Sequence, residues 1–149
     1  MRYLAIVTFG LFLLAGCSGG GATPSAHPDG WTALAGSSGS TFANGGARFT
    51  LKKKPYSGGI KDYASTLTTD TILTDRNAKF VQAVPFPDCP GEAGLQRFTI
   101  GGKTPGLLEI GFTVTGNMAI TASYFRPKGM PADPAARDAI KTDVCTVVV

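Results

Sequence analysis

The chain has 149 residues and a formal net charge of +4, with 43% hydrophobic and 16% charged residues. This composition is typical of a globular protein and not of a disordered one, and the length suits one domain with its own core. The basic excess is too small to indicate nucleic-acid binding.

The first segment has the pattern of an export signal. Arg2 supplies a positive charge, residues 3–14 form an apolar run, and residues 14–17 read Leu-Ala-Gly-Cys. A transmembrane helix needs about 20 apolar residues, so this run is too short to span a bilayer. The sequence ending at Cys17 resembles the bacterial lipobox, in which the cysteine sulfur receives a diacylglyceryl group and the chain is cut before that cysteine.

The lipobox resemblance implies a domain organisation. Residues 1–16 are then the signal peptide, residues 17–30 a lipidated cysteine and a flexible Gly/Ser/Pro-rich linker, and residues 31–149 a single domain. The lipid would hold the protein on a membrane in the cell envelope, outside the cytoplasm, where nucleic acid is not expected. Ser18 stands after the cysteine instead of Asp, which by the Gram-negative sorting rule indicates the periplasmic face of the outer membrane.

The first half of the domain is predicted to contain three strands and a helix. Residues 31–35 and 39–42 favour short strands, and residues 47–53 alternate as a half-buried strand does. Apolar side chains recur at helical spacing over residues 59–74, although the many threonines disfavour a helix there.

The second half is predicted to contain four strands and a closing helix. The strands span residues 78–84, 95–100, 107–115 and 118–126, and because tight turns join them they must run antiparallel. Asp133 and Pro134 favour a helix start. Helices segregated against an antiparallel sheet indicate the α+β class, with two helices packed on the sheet in two layers.

The order of these elements resembles the PsbP-like fold, which includes photosystem accessory proteins and small exported bacterial lipoproteins. The landmarks are the strand at Phe49, the helix at Tyr63, the strand end at residues 124–127 and the closing helix. The resemblance implies a binding or assembly module, and it transfers no catalytic residue and no cofactor.

Two cysteines remain once Cys17 carries lipid. Cys89 and Cys145 form an even pair in an oxidising compartment, which favours a structural disulfide. A metal or redox site is the alternative, but neither cysteine has a second Cys or a His nearby. We therefore predict a disulfide and no metal.

Catalytic candidates are few. His27 is the only histidine and lies in the predicted linker, where nothing holds it against a nucleophile. General acid–base chemistry needs two carboxylates held close together, and any two of Asp88, Glu92 and Glu109 are candidates.

A row of basic residues is the main binding candidate. Alternation places Arg48, Lys52 and Lys54 on one face of a strand. Such a face attracts anionic lipid headgroups or envelope polymers, whereas the alternative is that exposed lysines protect a sheet edge from pairing.

Two functions therefore stay open. The first is a non-enzymatic envelope lipoprotein that binds an anionic envelope polymer, an apolar ligand or a partner protein. The second is an envelope hydrolase or transferase that uses carboxylates which the sequence does not pair. An apolar cavity between sheet and helices would favour ligand binding, and two carboxylates within hydrogen-bond distance would favour the enzyme.

Overall fold

The computed structural model describes residues 27–36, 41–86, 89 and 92–145, which contain seven strands and two helices. The lipobox, Cys17 and Asp88 lie outside the described residues. In chain order the elements are β1 (Thr32–Ala33), β2 (Thr41–Asn44), β3 (Ala47–Pro55), α1 (Ile60–Thr74), β4 (Ala78–Pro85), β5 (Ala93–Ile100), β6 (Gly106–Thr115), β7 (Met118–Pro127) and α2 (Pro134–Cys145).

The described strands form one antiparallel sheet in the order β1-β2-β3-β7-β6-β5-β4. The predicted antiparallel run of four strands is confirmed, since each of β4 to β7 pairs with the next strand along the chain. The first half of the chain joins this run at β3, which pairs with β7 from Arg48–Phe125 to Pro55–Met118. A strand from each half of the chain therefore meets near the middle of the sheet.

The two helices lie on opposite faces of the sheet. Adjacent residues of a strand point to opposite faces. On β6, Phe112 packs against Tyr63 of α1, whereas a Cβ added to its neighbour Gly111 would overlap Ile140 of α2. The α+β prediction is confirmed, but the structure has three layers where the sequence predicted two, because β6 and β7 are largely buried on both faces.

The larger core lies between α2 and the sheet. Phe49 and Tyr124 are fully buried there, and Ile140 is 1% exposed. The buried residues of α2 all belong to this core: Ala136, Ala139, Ile140 and Val144. Because Gly111 has no side chain, α2 approaches β6 closely enough for Ile140 to lie directly over the strand.

Asp133 fixes the start of α2, as the sequence predicted. Its Oδ1 accepts the backbone N–H of Ala135 at 2.9 Å, which satisfies a donor that the helix itself leaves free. Its Oδ2 accepts the indole N–H of Trp31 at 2.9 Å, and the Tyr124 hydroxyl accepts the backbone N–H of Asp133 at 3.0 Å. The beginning of the domain and the last helix are thereby attached to β7.

Polar contacts hold α1 in place on the other face. The buried amide of Gln96 donates its Nε2–H to the Ala64 carbonyl at 2.8 Å. The hydroxyls of four α1 threonines donate to the carbonyl four residues earlier, so they satisfy their own hydrogen bonds inside the helix. The predicted helix over residues 59–74 is confirmed, with a start at Ile60.

Candidate functional site

Three of the four basic residues of β3 lie on the α1 face of the sheet. Arg48, Lys52 and Lys54 are exposed, as the alternation predicted. Phe49 and Leu51, which lie between them in sequence, point to the other face and belong to the core under α2. The strand therefore places three of its four cationic side chains opposite its buried apolar ones, and only Lys53 shares their face.

A groove with a volume of about 520 Å³ lies between α1 and this part of the sheet. It forms because α1 packs over β4, β5 and β6 and leaves the adjoining face of β7 and β3 open. Its floor includes Leu108, Ile110 and Phe125, and its β3 wall carries Lys52 and Lys54. The other lining residues are Tyr63, Leu67, Asp70, Thr71, Thr74, Asp75, Ile100, Thr104, Thr121 and Ser123.

Tyr63 of α1 lines the groove and connects this helix to β7. Its hydroxyl lies 2.8 Å from Thr121 Oγ1, a buried hydrogen bond between α1 and β7. The ammonium of Lys54 lies 5.2 Å from the centroid of the same ring, within the range of a cation–π contact. Tyr56 packs edge-on against Tyr63 with 4.9 Å between ring centroids. The Tyr63 ring thus attracts the Lys54 ammonium beside the groove.

The two walls of the groove carry opposite charges. Neither Lys52 nor Lys54 forms an ion pair with a described residue. The α1 side carries Asp70 and Asp75, and one Asp75 oxygen accepts the backbone N–H of Asn77 at 2.9 Å. The groove is not marked in the sequence, since it depends on which strands α1 covers.

The strand pairing bears on the alternative of edge protection. β3 pairs with β7 from Arg48 to Pro55, but within the described part of the chain its pairing with β2 ends at Thr50. Arg48 therefore lies on a stretch with a neighbour strand on both sides, where there is no edge to protect. Lys52 and Lys54 lie where the described chain supplies one neighbour strand, so edge protection remains an alternative for these two lysines.

Of the candidate carboxylates, the two that the structure describes, Glu92 and Glu109, are not brought together as an acid–base pair. Glu109 is buried between two arginines on the α2 face. Glu92 is exposed and directly precedes Ala93, the first residue of β5. Arg97, the cross-strand neighbour of Glu109, lies four residues further along this strand, about 13 Å from Ala93. Asp88 lies outside the described residues.

Cys89 and Cys145 lie at disulfide-bonding distance, with their Cα atoms 4.9 Å apart. Cys145 is the last residue of α2, and Cys89 belongs to the loop between β4 and β5. The pair therefore connects this loop to the end of α2, beside the core in which Phe86 is partly buried.

His27 is exposed and lies against the domain. Its ring stacks on Phe42 with 5.1 Å between centroids, and the next residue, Pro28, is fully buried. Residues 27–30, which the sequence assigned to the linker, thus include contacts with the sheet.

Among the described residues, no helix is long and apolar enough to cross a membrane. Over the same residues, no cluster of three or more His, Cys, Asp or Glu side chains suits a metal ion.

No protein-family model and no curated protein matches the chain.

Proposed function

We propose that this protein is a non-enzymatic, lipid-anchored binding module of the bacterial cell envelope, and that its groove takes an amphiphilic anion. The ligand is an apolar chain that ends in a carboxylate or a phosphate. One observation carries the proposal: an apolar floor at Leu108, Ile110 and Phe125 lies beside two lysines, Lys52 and Lys54, that have no carboxylate partner among the described residues. The groove volume falls in the usual range for small-molecule sites.

The groove has a distinct place for each part of such a ligand. The apolar chain lies along the floor, where each buried methylene contributes about 0.8 kcal/mol. The anionic end lies at the β3 wall against Lys52 and Lys54. Asp70 and Asp75 repel the same group from the α1 wall, so the charges select both the sign of the head group and its orientation.

The export and anchoring part of the proposal rests on the sequence. Residues 14–17 supply the lipobox pattern, Cys17 the lipid attachment, and the segment from Cys17 to the domain a tether. A protein anchored in this way works next to a membrane, and membranes are the main source of amphiphilic anions in an envelope. The proposed location is the periplasmic face of the outer membrane in a Gram-negative envelope.

The proposed relation to the PsbP-like group has support in the order of the elements. The observed chain runs through β3, α1, the four strands β4 to β7, and α2, which is the order on which the resemblance was based. The group's accessory roles agree with a binding module.

Isothermal titration calorimetry with two probes of equal chain length tests which head group the groove prefers. Laurate carries a carboxylate, whereas dodecyltrimethylammonium carries a cation on a chain of the same length. The proposal predicts saturable binding of laurate below its micelle concentration, and binding of the cationic probe that is at least about tenfold weaker. Equal affinities for the two probes would contradict it.

A pair of variants tests the two lysines. Changing Lys52 and Lys54 together to Gln should weaken laurate binding and make it less sensitive to salt. Lys53→Gln is the matched control, because Lys53 is exposed on the same strand and points to the opposite face. Edge protection predicts instead that the double variant binds laurate normally and self-associates more readily in a sedimentation experiment.

A further inference from the structure

A second cavity, of about 340 Å³, lies on the α2 face of the sheet. Its apolar part comes from residues 84–86 at the end of β4, from Leu95 and from Ile140. Its polar part comes from Arg97, Glu109 and Arg137, and we call the cavity the arginine pocket. Glu109 lies between Leu108 and Ile110 of the groove floor, so the sheet separates the two cavities.

Glu109 is held by both arginines. Its carboxylate is 2% exposed, and Oε1 accepts the Nε–H of Arg97 at 2.9 Å. Arg137 donates its Nε–H to Oε2 at 3.1 Å and an Nη2–H to Oε1 at 3.2 Å. Arg97 is the cross-strand partner of Glu109, and Arg137 reaches it from α2. The position of both guanidinium groups is thus set by one buried carboxylate.

The cluster has more positive charge and more donors than Glu109 uses. One arginine would neutralise the carboxylate, so the second leaves an excess of one positive charge. Arg97 uses only Nε–H on Glu109 and Arg137 leaves Nη1 unused, and these remaining N–H groups have no acceptor among the described residues. The two side chains are 35% and 47% exposed, so the donors are accessible. Glu109 is the only acidic residue in the described lining.

We infer that the arginine pocket binds a small organic carboxylate with an apolar body. A guanidinium group presents its N–H donors in a planar fork that matches the two oxygens of a carboxylate. The ligand's carboxylate takes the unused donors of Arg97 and Arg137, and its apolar body lies against Phe86, Leu95 and Ile140. This site is independent of the groove, because it is built on the opposite face by different residues.

Benzoate and benzyl alcohol are suitable probes, since they share a ring and differ in charge. We expect saturable chemical-shift changes with benzoate at Leu95 and Ile140, and at least about tenfold weaker binding of benzyl alcohol. Arg97→Gln leaves Glu109 bonded to Arg137 and should weaken benzoate binding at least about tenfold. Arg76→Gln, in the exposed turn before β4, is the matched control and should bind benzoate normally.

Three results would overturn the inference. They are equal binding of the two probes, unchanged benzoate affinity in Arg97→Gln, and shift changes confined to Leu108 and Phe125 of the groove. A lower melting temperature in Arg97→Gln with unchanged benzoate affinity would show that the cluster only attaches α2 to the sheet. The Lys52 and Lys54 double variant should retain benzoate binding, so this site and the groove are tested separately.

Discussion

The hydroxyl of Tyr63 lies 2.8 Å from Oγ1 of Thr121, and this buried bond joins α1 to β7 in the lining of the groove. Tyr63→Phe removes it and leaves the hydroxyl of Thr121, a residue that is 8% exposed, without that partner. We expect a loss of about 1–2 kcal/mol in the free energy of unfolding, measured by urea titration.

Tyr56→Phe is the control for this prediction. Tyr56 packs against Tyr63, but none of the described residues forms a hydrogen bond with its hydroxyl. Its loss should change the free energy of unfolding by less than about 0.5 kcal/mol. Equal losses in the two variants would show that the bond to Thr121 does not stabilise the domain.

The close approach of α2 to β6 predicts a cost for any side chain at position 111. Gly111→Ala places a methyl group where the Ile140 Cγ2 lies, and we expect a loss of about 1–3 kcal/mol in urea denaturation. Gly101→Ala is the control, because a Cβ there meets only ordinary contacts, the nearest at 3.7 Å from the Asn77 carbonyl oxygen. A Gly111→Ala variant as stable as the control would contradict the observed packing of α2.

The proximity of Cys89 and Cys145 predicts a disulfide in the exported protein. Peptide mapping without reductant should recover the linked pair. The chain-entropy model gives about 4 kcal/mol for a bridge between cysteines 56 residues apart, so reduction should lower the melting temperature by several degrees. Recovery of both residues as free thiols from the exported protein would overturn this prediction.

The strands, the helices and the antiparallel pairing were predictable from the sequence because each depends on local patterns. The alternation of polar and apolar residues predicted β3, and the helical spacing of apolar residues predicted α1. Asp133 and Pro134 predicted the start of α2. The third layer was not predictable, because Ile110 and Phe112 on one face of β6 and Gly111 on the other do not reveal which helix covers which face.

The candidate sites were likewise predictable only where they depend on local sequence patterns. Alternation placed Arg48, Lys52 and Lys54 on one face, and the structure places them there. The apolar floor beside the lysines and the two arginines around Glu109 depend on contacts between distant segments, and no local pattern in the sequence marks them. Glu109 was a candidate as one of three carboxylates that could pair, and its ion pairs with Arg97 and Arg137 were not visible in the sequence because these partners are 12 and 28 residues away.

The lipobox pattern predicts that Cys17 carries the lipid. Cys17→Ser should leave uncut precursor with no incorporation of a radiolabelled fatty acid, because the sulfur is the attachment atom. The wild-type protein, labelled in parallel, should be shorter and should carry the label. A labelled Cys17→Ser product would refute the assignment.

The central claim is that the groove between α1 and β3 binds the apolar chain of an anionic amphiphile. The most direct measurement is a set of intermolecular nuclear Overhauser contacts between laurate and the isotope-labelled protein. We predict contacts from the chain methylenes to Ile110 and Phe125, with the methylenes nearest the carboxylate close to Lys52. Contacts confined to Phe86 and Ile140 on the opposite face, or no saturable contacts, would contradict the account.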